Sequence, residues 1–231
     1  MKMKGKYGEI VRSDRTFDVI AAVLGCIIIV IVMVPLIFVV AASFSDPDLV
    51  IRGEVLLWPK GLTTKAYTMV FENKDIWRGF RNTMFYTALG TIISVTLTVL
   101  AAYPLSRKNL RGRNFIMMAV LFTMYFSGGM VPTYLLVKDL GMYNTIWAIL
   151  IPNALSTYNL IVAKTFFENS IPEELYESAR LDGCGNISML LRIVLPLSKA
   201  ILAVLVLYYA VAIWNSYFDA LIYLKDSSLH P

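Results

Sequence analysis

The chain has 231 residues, of which 58% are hydrophobic and only 16% charged, whereas a soluble domain is roughly half apolar and about a quarter charged. That balance excludes an ordinary water-soluble fold and reads as an all-α, polytopic transmembrane helix bundle. The net charge of +5 lies between the apolar runs, where basic residues collect on the cytoplasmic side of spans and beside anionic lipid; it is assigned to membrane lipid and not to nucleic acid.

From the N-terminus, a tail over 1–18 precedes the uncharged run Val19–Phe44. As a helix at about 1.5 Å per residue this run exceeds a hydrocarbon core of about 30 Å. It is too long and too far in for a cleavable signal, and reads as a retained first transmembrane helix over 19–44. The segment 45–81 follows, with "LTTKAYTMVFENKDIWRGF" as a short interfacial helix capped by Thr63 or Thr64. Further uncharged runs, Asn82–Ser106, Asn114–Val137, Leu140–Ala163 and Ala200–Phe218, bring the expected spans to five. They form a core domain over 82–231 with a loop over 164–199.

Orientation follows from short-loop Lys and Arg. Lys2, Lys4, Lys6, Arg12 and Arg15 in the tail, and Arg107, Lys108, Arg111 and Arg113 after the second span, belong in the cytoplasm. The N-terminus and the 164–199 loop are then cytoplasmic, and 45–81 is outside. A chain that reaches Pro231 soon after a fifth span, on the far side, reads as lacking a sixth.

Within the second span, Thr87, Gly90, Thr91, Ser94, Thr98 and Ala101 recur at steps of three and four, a small-residue stripe suited to close helix packing. The fourth run carries Asn144, Asn153, Ser156, Thr157, Tyr158 and Asn159. Such groups are costly against hydrocarbon and face the protein interior or a water-filled path; packing between helices is the simpler assignment for any one of them. In "VAIWNSYFDALIYLKD", Trp214, Tyr217 and Tyr223 suit interface anchors, Asn215 is deep enough to line a path, and Asp219 falls near the outer surface. Tyr158, Asn159, Asn153, Trp214, Asn215 and Tyr217 are the substrate-path candidates.

Chemistry has little to work with here. The sequence holds one histidine, His230, and two cysteines, Cys26 in an apolar run and Cys184 in a loop. No catalytic residue, metal site or cofactor is expected on the chain, and it has no GxxxxGK[ST] phosphate loop.

The most informative stretch is "ESARLDGCGNISMLLRIVLPLS", Glu177–Ser198. Pro172 suits a first helical turn, Glu173 and Glu174 complement the positive end of its dipole, and Gly183 and Gly185 turn the chain. The helix Pro172–Asp182 is too polar to cross a membrane. Leu175, Ser178, Ala179 and Asp182 recur on one side, small enough to fit a partner's groove. A second helix begins near Asn186 and runs towards the membrane.

"ESARLDG" followed by "IVLP" resembles the cytoplasmic loop of ABC-importer permeases, Glu-Ala-Ala, two residues, Asp-Gly, then Ile-x-Leu-Pro. The match falls on Glu177, Ala179, Asp182, Gly183, Ile193, Leu195 and Pro196, with Ser178 in place of the usual first alanine. "NTMFYTALGT", "AAYPLSRKNLRGRN", "VPTYLLVKDLGMYNTIWAILIP", "FFENSIPEEL" and "WNSYFDALIYL" extend the likeness to the carbohydrate branch, similar to the maltose-type G subunit, and "FSGGMVPTYLL" is similar to the subgroup for complex or acidic oligosaccharides.

The resemblance implies a type I importer permease in a bacterial plasma membrane. Its partners would be a second homologous permease, a cytoplasmic ATPase dimer that binds ATP and Mg, and an extracellular solute-binding protein, with an oligosaccharide as cargo. Glu177, Ser178, Ala179, Asp182 and Gly183 would couple the chain to the ATPase. Open beside this are an importer of a non-sugar solute and, from another class, a membrane enzyme or an assembly scaffold.

Overall fold

The computed structural model describes residues 4–231, with side chains from Arg15 onward. Among the described residues there are helices and turns but no strand. Two compact units separate at Lys74/Asp75.

The first unit is built on α1, Lys4–Ser43, whose section Arg15–Ser43 is strongly apolar and has none of its most apolar window buried. Two short helices follow, α2 (Pro47–Ile51) and α3 (Lys65–Glu72). Ser45, nearly fully buried, donates to the Ala41 carbonyl at 2.6 Å and accepts from the Lys60 amide at 3.0 Å, which folds the loop back onto the end of α1. Thr64 occupies the N-cap position of α3 without a side-chain bond, while the Thr63 hydroxyl accepts from the Lys65 amide at 3.2 Å. The expected short helix is therefore present, and of its two candidate threonines Thr63 makes the side-chain bond to the first turn.

The second unit hangs on α4, Lys74–Ser106. Its stripe is the packed face: Gly90, Thr91, Ser94 and Thr98 are buried. A methyl group on Gly90 would come within 2.8 Å of the side-chain tips of both Ile213 and Leu150, so any larger residue there requires those two side chains to shift.

Next come α5 (Arg113–Tyr125), α6 (Met130–Asp139), α7 (Trp147–Leu150) and α8 (Thr157–Ser170). They are followed by α9 (Glu173–Leu181), α10 (Asn186–Met189), a π-helical turn over Leu190–Val194, α11 (Leu195–Leu197), α12 (Lys199–Trp214) and α13 (Tyr217–Tyr223). One apolar cluster joins α4, α8, α9, the π turn and α12 through Tyr103, Phe167, Tyr176, Val194 and Leu205.

The five uncharged runs are not five continuous helices. Among the described residues only Arg15–Ser43 and α4 are long and apolar enough to cross a membrane unaided; α5 with α6, bent by 113°, and Asn186–Leu197 with α12, bent by 85°, qualify only as broken pairs. The run Asn114–Val137 is broken at Gly129, whose φ is +87°. The run Leu140–Ala163 is broken by a glycine turn at Gly141 (φ +70°), by Asn144 at φ +58°, and by an irregular stretch around Pro152 before Ser156 caps α8. Asn144 uses its left-handed backbone to aim its side-chain oxygen at the Lys225 and Asp226 amides, 2.8 and 2.9 Å away. The run Ala200–Phe218 stops as a helix at Trp214.

Candidate functional site

Two regions of the second unit carry the polar groups singled out from sequence. The first is α9. Pro172 stands at the N-cap with extended backbone, one position before the expected first turn, and Glu173 and Glu174 occupy that turn, where the dipole favours them. At the other end Gly183 adopts φ +75°. Its amide bonds to the Arg180 carbonyl at 3.0 Å and the Cys184 amide to the Ala179 carbonyl at 2.9 Å, the paired closure that satisfies last-turn carbonyls. A Cβ at Gly183 would meet open space, so the backbone angle alone demands glycine.

The faces of α9 differ sharply. Tyr176, 1% exposed, and Ala179, 6% exposed, point into the apolar cluster. Ala179, expected on the partner-facing side, thus packs against its own chain: a small residue reads alike whether it abuts a partner or the core. Leu175, Glu177, Ser178, Asp182, Gly183 and Leu181, the last 89% exposed, remain open.

The buried face is held by Arg107, just past α4. Its guanidinium lies 3.3 Å from the Tyr176 ring centroid and 2.6 Å from Glu173 Oε1, with its side chain 12% exposed. Burial raises the Tyr176 phenol above its ordinary pKa, and the Arg107 charge pulls against that rise. With its amide oxygen turned to Arg180, Asn109 accepts from both guanidinium nitrogens at 3.1 and 3.2 Å. Beside this, Glu168 bridges Lys164 at 2.5 Å and Arg113 at 2.9 Å, which hold its carboxyl below the usual range, Lys164 first.

After Gly185, α10, the π turn and α11 form an arm that meets α12 at 85°. Pro196 in α11 cannot donate to the Arg192 carbonyl, so a regular ladder is interrupted where the π turn sits. Ser198 at the bend is fully buried.

The second region is a cavity of about 380 Å³ where the stretch before α8 meets the ends of α12 and α13; it is lined by Asn153, Ser156, Asn159, Tyr209, Ser216 and Asp219 together with apolar side chains including Leu155 and Ile213. Tyr209 fixes its floor, its hydroxyl lying 2.6 Å from Thr98 Oγ1 on α4 and accepting from the Ser156 amide at 3.1 Å. The Asn153 amide donates to Asp219 Oδ2 at 3.2 Å.

Of the six path candidates, Asn153 and Asn159 meet here. Tyr158 is exposed, 6.4 Å from the Tyr208 ring. Trp214 is half exposed and packs edge-on to Phe80 at 6.0 Å. Asn215 donates back to the Val211 carbonyl at 2.7 Å, and Tyr217 is 68% exposed. Sequence reasoning did not single out Tyr209 and Ser216, and it set Asp219 aside as a group near the outer surface, without its link to Asn153. The spacing 209, 213, 216 is helical and would have joined Tyr209 to Ser216, whereas the pairing of Asp219 with Asn153 is long-range.

A bundle of bent and broken helices, with a polar helix packed by one face outside its apolar runs, has the form of a polytopic membrane permease. Residues 94–227 match the model for the binding-protein-dependent transport system inner membrane component, and the chain belongs to that family. It is 40% identical to Protein LplC of Bacillus subtilis over 95% of this chain and 74% of the relative. It is 41% identical to the polygalacturonan/rhamnogalacturonan transport system permease protein YtcP of Bacillus subtilis, over 95% and 76%. Its fold matches a chain in the crystal structure of a bacterial ABC transporter involved in the import of the acidic polysaccharide alginate, with a TM-score of 0.89 and 36% identity, covering 95% of this chain and 78% of that one. The fold is therefore that of an ABC importer permease.

Proposed function

We propose that this chain is one permease subunit of an ATP-driven importer of oligosaccharides, with its N-terminus and α9 in the cytoplasm. The observation that carries this reading is the two-faced α9: one face is locked into the chain by Tyr176 and Ala179, and the other leaves Glu177, Ser178 and Leu181 open. A helix so placed transmits force between whatever covers its outer face and the bundle. In this reading ATP and Mg are handled by a cytoplasmic ATPase dimer, a second homologous permease completes the path, and an extracellular solute-binding protein delivers cargo. Closure of the ATPase pair displaces α9, and the arm bent against α12 carries the motion to the cavity walls. The names of the polygalacturonan and alginate relatives support a glycan cargo.

The roles within α9 divide accordingly. Glu177 makes a polar or ionic contact with the ATPase, Ser178 lets the surfaces approach, and Asp182 with Gly183 fixes the turn. Ser178→Trp adds bulk on the open face, where the native hydroxyl bonds back to the Leu175 carbonyl. In a chain that still assembles in the membrane, it is expected to lower cargo-stimulated ATP hydrolysis by about tenfold, the equivalent of about 1.4 kcal/mol of docking energy. Unchanged stimulation would remove the coupling role.

A further inference from the structure

The cavity offers three kinds of free polar capacity. Asn159 is 6% exposed and lines the cavity, yet its side-chain amide makes no hydrogen bond to a described residue; only its backbone amide is engaged, with Ser156 Oγ at 3.4 Å. The amide atoms are not fully enclosed and open onto the cavity, where water or a ligand can satisfy them. Asp219 spends one oxygen on the Asn153 amide, while a carboxylate accepts at about four positions. Asn153, having donated, keeps its side-chain oxygen as an acceptor. Leu155 and Ile213 complete the wall, so the cavity joins an apolar surface to hydrogen-bonding groups of which one is an anion and none is a cation. Its volume of about 380 Å³ is at the small end for ligand clefts, enough for a short piece of a longer molecule.

We propose that this cavity is a subsite for one uncharged glycosyl unit of the cargo, and that Asp219 sets its selectivity. Ring hydroxyls donate to Asp219 and to the Asn153 oxygen, the Asn159 amide donates to a ring or hydroxyl oxygen, and the apolar wall takes the C–H face of the sugar. A unit bearing a carboxylate is rejected at this position, because its charge meets Asp219 with no Lys or Arg among the lining residues. If the cargo is a glycan that mixes uronate and neutral units, its carboxylates are read elsewhere on the path, and this subsite takes a neutral unit of the chain.

This inference rests on the oligosaccharide-import reading and is tested with the complete importer in membrane vesicles. Uptake of a neutral oligosaccharide is compared with that of a uronate oligosaccharide of equal length, for the native chain and for Asp219→Asn, after checking that equal amounts assemble. Removing the anion is expected to raise uronate uptake relative to neutral uptake by about tenfold, the scale of one hydrogen bond to a charged group. A second variant, Asn159→Leu, keeps the carboxylate and removes the amide; it is expected to lower neutral uptake several-fold and leave uronate no better accepted. Uptake with an unchanged uronate-to-neutral ratio in Asp219→Asn overturns the subsite while the import reading stands. Absence of uptake of either glycan by the native importer overturns the import reading and the subsite with it.

Discussion

The α9 end and the cavity end of the larger unit are built on different rules. At the α9 end charge is paired and aromatic surface is covered: Arg107 meets both Glu173 and Tyr176, and Glu168 holds Lys164 and Arg113. Around the cavity the Asn159 side chain makes no hydrogen bond to a described residue and opens onto the cavity, and the Asn153 bond to Asp219 links the stretch before α8 to α13. A region that must move as one piece needs redundant contacts, whereas a region that must exchange ligands needs unspent ones. The same chain contains both.

Deleting the aromatic anchor tests the contrast most strongly. Tyr176→Ala removes a side chain that is 1% exposed, and truncating a large core aromatic costs about 3–5 kcal/mol. The α9 region is expected to become sensitive to protease in detergent micelles at temperatures where the rest of the bundle persists; unchanged protection would mean that α9 is held by something other than its buried face. Arg107→Ala should cost less, about 1–2 kcal/mol, since Glu173 is half exposed and its ion pair is screened. Arg107→Lys restores the charge without the planar group that stacks on Tyr176. Thermal unfolding of the two variants therefore separates the planar stacking from the charge: if Lys rescues fully, stacking of the guanidinium on the ring adds nothing beyond the positive charge.

The smallest effect is the acid limit of the Glu168 bridge. Because its folded pKa is lowered, its contribution is complete above the ordinary glutamate value of about 4.3 and is lost as pH falls through the lowered value. Glu168→Gln should flatten the stability profile over that acidic window and leave the profile above it parallel to that of the native chain. Melting curves between pH 3 and 6 check this, and parallel curves throughout would show that the bridge contributes no pH-dependent stability.

Local signals were legible in the sequence and long-range ones were not. The ends of α9 fell within a residue of expectation because Pro172, the two glutamates and Gly183 act on their own neighbourhood. The stripe on α4 was legible because small residues at helical spacing have one common use, close packing. Counting uncharged residues, in contrast, is blind to where a helix stops: Gly129 and Gly141 with positive φ and the irregular stretch around Pro152 break runs that look continuous by charge alone. The direction of Ala179 and the partnership of Asp219 with Asn153 depend on which helices pack together, and no spacing within one helix encodes that.

The 85° bend at Ser198 has a mechanical meaning. At about 1.5 Å per residue, the arm Asn186–Leu197 and the helix α12 form a bell crank with limbs of roughly 18 and 24 Å, pivoting on a buried serine. In such a crank, sideways travel at the tip of the arm emerges turned through nearly a right angle at the tip of α12, enlarged by roughly a third. Displacement of the arm's tip would then swing the far end of α12 sideways, across its own axis, and so widen or narrow the cavity that Tyr209, Ile213 and Ser216 line there.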